Sequence, residues 1–401
     1  MAGHLTRRSV LALCGSALSG GIAGCVSTGY DAPPLPAQPA TEPRQFQYDA
    51  RNACVTGTTP PKTGTLQWKV RRDELDSSGE SIDGLASRGD HLVVVTREAI
   101  HALDPSDGSE RWRTDPEYDG ATPALAPALG ADSVYLSWPR THQRSLVALD
   151  LSDGSERWRA EPVFTQTSHP TLADDTIYIG VDELGPPGTG VIAVDATDGR
   201  VRWRFSTAEM PTTPAVANGT VYVGGGNEGI VYALDAETGE KRWEFATPEW
   251  MLLPPTVVDG TVYIPSSFAR RLYALDATDG TEQWSVEMLV SGSVAATAES
   301  VYVPVMDEIR ILSADGTERW SEAIGSQTLS VAPVVAGESL LVPGERAVCL
   351  NLTDGSVHWE RQVEATMTDD GPLRGISCVP VVTDDGVFLG TPAGDVYAVG
   401  V

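Results

Sequence analysis

The chain has 401 residues, with 28 basic and 55 acidic side chains and a formal net charge of −27 at pH 7. This charge repels the phosphates of nucleic acids, and it excludes a nucleic-acid-binding function. Lysine occurs three times, at Lys62, Lys69 and Lys241, whereas arginine occurs 25 times. Few lysines among many acids are typical of halophilic proteins, in which dissolved salt screens the repulsion between acidic side chains.

The first 24 residues have the pattern of an export signal. Arg7 and Arg8 stand directly before an apolar run that ends near Gly24. This run is shorter than the ~20 residues that a membrane-spanning helix needs. Its last residues and Cys25 resemble a lipobox, in which a cysteine thiol takes a lipid. We therefore predict a Tat-type lipoprotein signal peptide over 1–24 and a lipid on Cys25 at the outer face of the cell membrane. The alternative is an ordinary signal peptide cut near Gly24.

Residues 25–45 are predicted to form the lipid attachment point and a tether, because five prolines and few apolar side chains leave little to bury. Removal of the signal peptide leaves 26 basic and 55 acidic side chains, a net charge of −29. Cys349 stands where other repeats have alanine, which predicts a small core residue. Cys54 and Cys378 could form a disulfide outside the cell, and the sequence leaves this pairing open.

One pattern recurs along the chain: an alanine, an aspartate two residues later, a glycine after four more and a tryptophan after another four. Successive tryptophans lie 36 to 46 residues apart, which is the length of one β-propeller blade. β-branched and aromatic residues fill four segments in each repeat, and pairs such as Asn218-Gly219 mark tight hairpins between them.

The last repeat stops without a tryptophan, and Gly64 and Trp68 supply the missing outer strand at the start. Complementary half-blades favour a closed ring over a linear β-solenoid, because closure removes open sheet edges. We predict an all-β fold: an eight-bladed β-propeller of four-stranded antiparallel blades over 46–401, with the last blade closed by an N-terminal strand. Each blade is expected to contribute one docking tryptophan: Trp68, Trp112, Trp158, Trp203, Trp243, Trp284, Trp320 and Trp359.

The repeat resembles the tryptophan-docking motif of the quinoprotein, or PQQ-type, β-propellers over residues 64–401. As a Tat-exported lipoprotein with few lysines and many acids, the chain resembles haloarchaeal members of that family. In that family, dehydrogenases hold pyrroloquinoline quinone in the central channel against a disulfide between adjacent cysteines, beside Ca²⁺. Other members, such as the outer-membrane assembly propeller, are cofactor-free lipoproteins that present binding surfaces. This chain has no adjacent cysteines, so neither the quinone nor calcium is expected.

No catalytic or metal-binding residues are predicted. The five histidines after the signal peptide have neither the i, i+4 spacing nor the neighbouring cysteines of a metal site. A nucleophile elbow and a phosphate-binding glycine loop are also missing. The leading interpretation is a monomeric binding scaffold for an unknown extracytoplasmic protein, peptide or envelope polymer. The alternative is a quinone-dependent or other redox-linked dehydrogenase with divergent cofactor ligands.

One face of the propeller is the candidate binding face. It carries the second-to-third-strand loops and the connections between blades, whereas the acidic turns of the repeat belong to the opposite face. Exposed tryptophan and arginine are common at interface hot spots. The alternative is that these arginines balance nearby acids such as Glu249 and Asp307, and that Trp250 packs on a neighbouring loop. The candidate residues are Trp138, Arg140, His142, Arg144, Trp250, Phe268, Arg270, Arg271 and Arg374.

Cys25→Ser is expected to release the protein into the medium, because it removes the thiol that takes the lipid. Immunoblots of the membrane and medium fractions measure the release, with Cys54→Ser as the control that stays on the membrane. A Cys25→Ser protein that remains membrane-bound after loss of its apolar segment contradicts the lipoprotein prediction.

Overall fold

The computed structural model describes residues 44–75, 81–115, 125–140, 143–160, 164–182, 188–226, 229–248, 253–266, 270–324, 331–368, 371–373 and 375–400. They belong to one compact unit, Pro34–Val401. The fold prediction is confirmed, since eight four-stranded antiparallel sheets form a ring. Within these ranges there is no α-helix, and so no helix of membrane-spanning length. The signal peptide, Cys25 and nearly all of the tether lie outside the described residues.

The strands of the first half begin with two that precede any complete blade: β1 (Val55–Thr56) and β2 (Thr65–Val70). Blade 1 contains β3 (Ile82–Arg88), β4 (His91–Thr96), β5 (Ile100–Leu103) and β6 (Glu110–Thr114). Blade 2 contains β7 (Ala128–Leu129), β8 (Ser133–Arg140), β9 (Gln143–Asp150) and β10 (Glu156–Arg159). Blade 3 contains β11 (Gln166–Thr167) and β12 (Thr171–Ala173), which both pair with β13 (Thr176–Asp182), then β14 (Gly190–Asp195) and β15 (Val201–Ser206). Blade 4 contains β16 (Ala215–Ala217), β17 (Thr220–Gly224), β18 (Ile230–Asp235) and β19 (Lys241–Ala246).

The second half repeats this order and closes the ring. Blade 5 contains β20 (Thr256–Val258), β21 (Thr261–Ser266), β22 (Arg271–Asp276) and β23 (Glu282–Glu287). Blade 6 contains β24 (Ala295–Ala296), β25 (Ser300–Val305), β26 (Glu308–Ser313) and β27 (Glu318–Ala323). Blade 7 contains β28 (Val334–Ala336), β29 (Ser339–Val342), β30 (Arg346–Asn351) and β31 (Val357–Gln362), and a hairpin of β32 (Thr366–Thr368) and β33 (Gly371–Leu373) follows it. Blade 8 contains β34 (Val381–Thr383), β35 (Gly386–Gly390) and β36 (Val396–Gly400), with β2 as its outermost strand.

Position in the blade determines how each strand is buried. The first strands of neighbouring blades contact one another and surround the central channel. The middle strands are buried on both faces, as in β17, where every residue is buried, because blades pack against them from either side. The outer strands are mostly exposed, as in β19, where Trp243 is the buried residue. Asn218 and Gly219 join β16 to β17 with φ of 49° and 67°, the geometry of a two-residue hairpin.

Each docking tryptophan of an outer strand contacts a glycine of the next blade. Gly239 has a φ of 75°, and a Cβ there would lie 2.6 Å from Cε3 of Trp203, so the indole rests directly on the backbone. Trp203 Nε1 also donates a hydrogen bond to Ala236 O at 2.9 Å. The same donor–carbonyl pairing is made by Trp68 with Pro105, Trp112 with Leu151, Trp158 with Ala196, Trp243 with Ala277, Trp284 with Ala314 and Trp359 with Pro61.

The same contact closes the ring between its two ends. Trp359 of blade 7 lies on Gly64, which precedes β2, and donates to Pro61 O at 2.8 Å. Trp68 of β2 in turn lies on Gly108 of blade 1. The N-terminal strand therefore takes part in two interblade contacts as well as completing blade 8.

Arginine pairs hold the acidic turns on one side of the ring. We call this side the turn face: it carries the first-to-second and third-to-fourth strand connections. Arg202 Nη2 lies 2.8 Å from Asp195 Oδ2 and 3.0 Å from Asp175 Oδ2, so one guanidinium joins two turns. The Arg202 hydrogen bond lowers the pKa of Asp195. Equivalent pairs are Arg111 with Asp90 and Asp104, Arg157 with Asp132 and Asp150, and Arg242 with Asp235.

Two sequence interpretations need correction. Trp138 is only 4% exposed and belongs to the same hydrophobic cluster as Trp112, because it is a strand residue: β8 pairs with β9 as far as Arg140 and Gln143. Cys54 and Cys378 are free thiols, so the disulfide considered from the sequence does not form. Cys349 is buried, as predicted.

Trp203→Ala is expected to cost about 3–5 kcal/mol, because it empties the interblade space over Gly239 and removes the bond to Ala236 O. Val201→Ala, at a 37% exposed position on the same strand, is the matched control and is expected to change stability by about 0.5 kcal/mol or less. Urea unfolding of the two variants measures the difference. Equal losses would mean that the indole does not carry the interblade contact.

Candidate functional site: the central channel

The central channel holds a segment of the chain itself, residues 44–56, which we call the channel strap. It accepts hydrogen bonds from the first strands of seven blades. The donors are the backbone N–H groups at one equivalent position of each strand. They pair as Leu129 with Arg44 O, Leu172 with Gln45 Oε1, Val216 with Ala50 O, Val257 with Arg51 O, Ala296 with Ala53 O, Val335 with Cys54 O and Val382 with Tyr48 Oη.

Strap side chains bond a second layer of backbone groups. Asn52 Nδ2 donates to Pro214 O at 3.2 Å and to Pro255 O at 3.0 Å. Tyr48 Oη donates to Pro380 O at 2.8 Å, and Gln47 Nε2 donates to Val294 O at 3.3 Å. These carbonyls immediately precede the first strands. Without the strap, the channel side of a first strand would have no neighbouring strand, so the strap satisfies backbone groups that are otherwise open to water.

The strap is irregular, which explains why sequence reasoning missed it. Gln47, Tyr48, Asn52 and Cys54 have positive φ, between 51° and 77°. Such conformations are costly for residues with a Cβ, and they persist where surrounding contacts compensate. Only β1, at its end, is regular, and it pairs parallel to β28. The available signal was a polar and aromatic stretch between the prolines and Gly64 that fits no repeat.

The strap leaves a cavity of about 200 Å³ in the channel, which we call the bowl. Its floor is formed by Gln45, Phe46 and Tyr48. Its walls come from blades 1, 2, 3, 7 and 8, from residues at or just before the first strands. They lie in the half of the channel nearer the second-to-third-strand loops and blade connections, a side we call the loop face. The wall residues are Asp83, Leu85, Ala126, His169, Val331, Ser377, Cys378, Val379, Pro380 and Val381.

His169 is a neutral, oriented ring in the wall of the bowl. It stacks on Phe46 with ring centroids 4.2 Å apart and planes 9° apart. Its Nδ1 accepts a hydrogen bond from Ala126 N at 2.9 Å, so the proton of the neutral ring is on Nε2. Burial lowers the pKa of His169 to about 4, which keeps the ring uncharged at neutral pH.

Arg144, a residue of the candidate binding face, lies inside the protein. It is 7% exposed, and Nη1 lies 3.5 Å from Ser137 Oγ in the same hairpin. Burial lowers the pKa of Arg144, and the negative charge of Asp83 opposes that shift. The arginine therefore acts on the electrostatics of the bowl wall instead of adding exposed surface.

The remaining candidates are distributed as follows. Arg270 is exposed on the loop face, and Arg271 begins β22, where Nη1 donates to Ser285 Oγ at 3.0 Å. Arg140 ends β8, and its side chain lies outside the described residues. The whole of His142, Trp250, Phe268 and Arg374 also lies outside them. With Trp138 and Arg144 buried, Arg270 and Arg271 of blade 5 are the candidates whose side chains the structure describes as exposed or partly exposed.

The channel residues do not fit a quinone cofactor. Quinoprotein dehydrogenases place that group in the central channel, where this chain has the strap with Gln47, Asn52 and Cys54 at 1% exposure or less. The sequence has no adjacent cysteines for the group to rest on. Among the described ranges, no cluster of three His, Cys, Asp or Glu side chains is placed to hold a metal ion.

Eight blades joined by tryptophan–glycine contacts define the chain as a PQQ-type β-propeller. It belongs to the family described as outer membrane protein assembly factor BamB, whose model matches residues 52–209 and 187–399. No curated protein sequence matches the chain.

Solved structures share this fold at low sequence identity. BamB from Moraxella catarrhalis has a TM-score of 0.63 and 19% identity, covering 84% of this chain and 97% of its own. A europium-containing methanol dehydrogenase has a TM-score of 0.68 and 12% identity, covering 91% and 99%. A quinohemoprotein alcohol dehydrogenase from Pseudomonas putida HK5 has a TM-score of 0.68 and 12% identity, covering 90% and 80%. The fold is thus common to BamB and to dehydrogenases, so the fold alone does not give the function of this chain. The residues in the channel have to be compared instead.

His169 predicts a loss of stability in mild acid. The unfolded ring takes a proton near pH ~6.5 and the folded ring near 4, so the unfolded chain binds more protons between these values. Stability therefore falls as the pH drops through this window, by on the order of 2 kcal/mol for this half-buried group. Asparagine at position 169 keeps an acceptor for Ala126 N but does not titrate. His169→Asn is therefore expected to remove the contribution of His169 to the slope of the free energy of unfolding against pH.

Urea unfolding at several pH values measures the slope, with His358→Asn on the exposed side of β31 as the control. A slope that is the same in His169→Asn and in the unaltered protein contradicts the assignment.

Proposed function

We propose that this protein is a non-enzymatic binding scaffold, held outside the cytoplasmic membrane by a lipid on Cys25, that binds an extracytoplasmic protein, peptide or envelope polymer through its loop face. The observation that carries the proposal is the channel strap. It lies in the central channel, the part of the fold in which the dehydrogenases of the family hold their quinone, and its hydrogen bonds to seven blades make it part of the fold. A rigid ring that presents loops is a common basis for binding.

The loop face is favoured over the turn face by its side chains. Turn-face carboxylates are engaged locally, since Asp195 accepts from Thr197 N at 2.8 Å and pairs with Arg202. On the loop face, exposed Arg270 ends the second-to-third-strand connection of blade 5. Met306, 55% exposed, lies at the corresponding tip of blade 6. Arginine and methionine on neighbouring blades are residue types enriched in protein interfaces.

A dehydrogenase with pyrroloquinoline quinone and calcium is the second candidate, favoured by the structural likeness to two alcohol-oxidising enzymes. A quinone bound in the part of the channel that the strap fills would break the strap's hydrogen bonds to the first strands. Incubation of the protein with the quinone and Ca²⁺ separates the candidates: retention of quinone absorbance together with dye-linked alcohol oxidation supports the enzyme, and their absence supports the scaffold.

Arg270→Glu combined with Arg271→Glu is expected to reduce partner recovery about tenfold or more, because charge reversal at an interface centre costs on the order of 2 kcal/mol. Recovery is measured by pull-down from membranes at high salt. Arg200→Glu is the matched control: its side chain is 86% exposed on the turn face. Unchanged recovery with the blade 5 variant rules out this part of the loop face.

A further inference from the structure

We infer that the bowl receives one cationic side chain, a lysine or an arginine, from the bound partner. The inference rests on the proposed function and names the chemistry of the contact. It follows from the size of the bowl, from its charge and from the hydrogen-bonding pattern that the strap sets up in the other blades.

The size of the bowl limits what can enter it. Pockets for drug-sized ligands are roughly 300–1,000 Å³. At about 200 Å³ the bowl is smaller, and it opens between elements of a rigid ring. A single extended side chain fits these dimensions. Phe46, Leu85 and Val331 supply apolar surface for the methylene stem that lysine and arginine share.

The charge of the bowl favours a cation. Asp83 is the one acidic side chain among the described residues that line the bowl, and its charge also interacts with that of Arg144. A carboxylate accepts hydrogen bonds at several positions on its two oxygens, so one partner does not exhaust its acceptor capacity. His169 is neutral at physiological pH and adds no opposing charge. The surrounding protein, with net charge −27, attracts cations towards its openings.

The repeat symmetry favours a ligand rich in N–H donors. In blades 4, 5, 6 and 8 the carbonyl that precedes the first strand accepts a hydrogen bond from Asn52, Gln47 or Tyr48. Leu85 holds the same register position in blade 1, and it lines the bowl. An ammonium or guanidinium group in the bowl would donate there as the strap side chains donate elsewhere, and would place its charge near Asp83.

Three capped tripeptides that differ only in a central arginine, glutamine or glutamate serve as probes. Their binding to the full-length protein is measured by saturation-transfer NMR and calorimetry at molar salt, which screens the acidic surface. The arginine peptide is expected to bind about tenfold or more tightly than the other two, as for a charge-assisted hydrogen bond. Equal binding of the three peptides, or no binding by the arginine peptide, overturns the inference without any variant.

Asp83→Asn is expected to lower the affinity for the arginine peptide about tenfold, and Asp83→Glu is expected to restore most of it. Asp385→Asn, which removes a carboxylate from the turn face, is the matched control. Unchanged affinity in Asp83→Asn overturns the assignment. The pull-down tests the proposed function independently of the bowl. Unchanged partner recovery with Arg270→Glu and Arg271→Glu rules out the blade 5 part of the loop face, and it does not affect the assignment of the bowl.

Discussion

The contact between an indole and a glycine of the next blade is the interaction on which the ring depends. It requires a flat ring on the outer strand and a backbone without a Cβ opposite it, as Trp203 and Gly239 show. The positive φ of that glycine also closes the turn of its own blade. The same glycine therefore closes a turn within its own blade and contacts the indole of the preceding blade. The local turn geometry and the packing of neighbouring blades are coupled in this way. Because Trp359 and Gly64 repeat the contact across the two chain ends, the ring closes without an open edge.

Closure of the ring leaves backbone groups of the first strands facing the channel, and the channel strap forms hydrogen bonds with them. First strands have no partner on their channel side, and their backbone groups would be left to water in a narrow space. The strap forms hydrogen bonds with these groups in seven blades. These bonds compensate for the unfavourable positive φ of strap residues such as Tyr48 and Asn52. The same segment fills part of the channel and leaves the bowl on the side of the loop face.

Charge is distributed differently on the two faces. Turn-face acids accept hydrogen bonds from backbone N–H groups of their own turns, and arginines such as Arg202 pair with acids of two neighbouring turns. Part of the repulsion expected from the net charge is therefore relieved within each blade. Each exposed ion pair of this kind contributes little to the free energy of unfolding, and the contribution becomes appreciable only because the pair recurs from blade to blade. The loop face has no corresponding repeat among the described residues, and blade 5 and blade 6 differ there in charge and apolar exposure. This variation is the reason for placing the proposed binding surface on the loop face.

The sequence by itself determined the blade count, the strand order and the closure by β2, because these follow from a repeat whose tryptophan and glycine spacing is local and periodic. It also placed Cys349 in the core. Tertiary structure decided the rest. Trp138 and Arg144 have the residue types of an exposed interface, yet both are paired within the β8–β9 hairpin and are buried. The strap has no period of its own, and its conformation is defined only by bonds to strands that are distant in sequence, so its place in the channel could not be read before the ring was assembled.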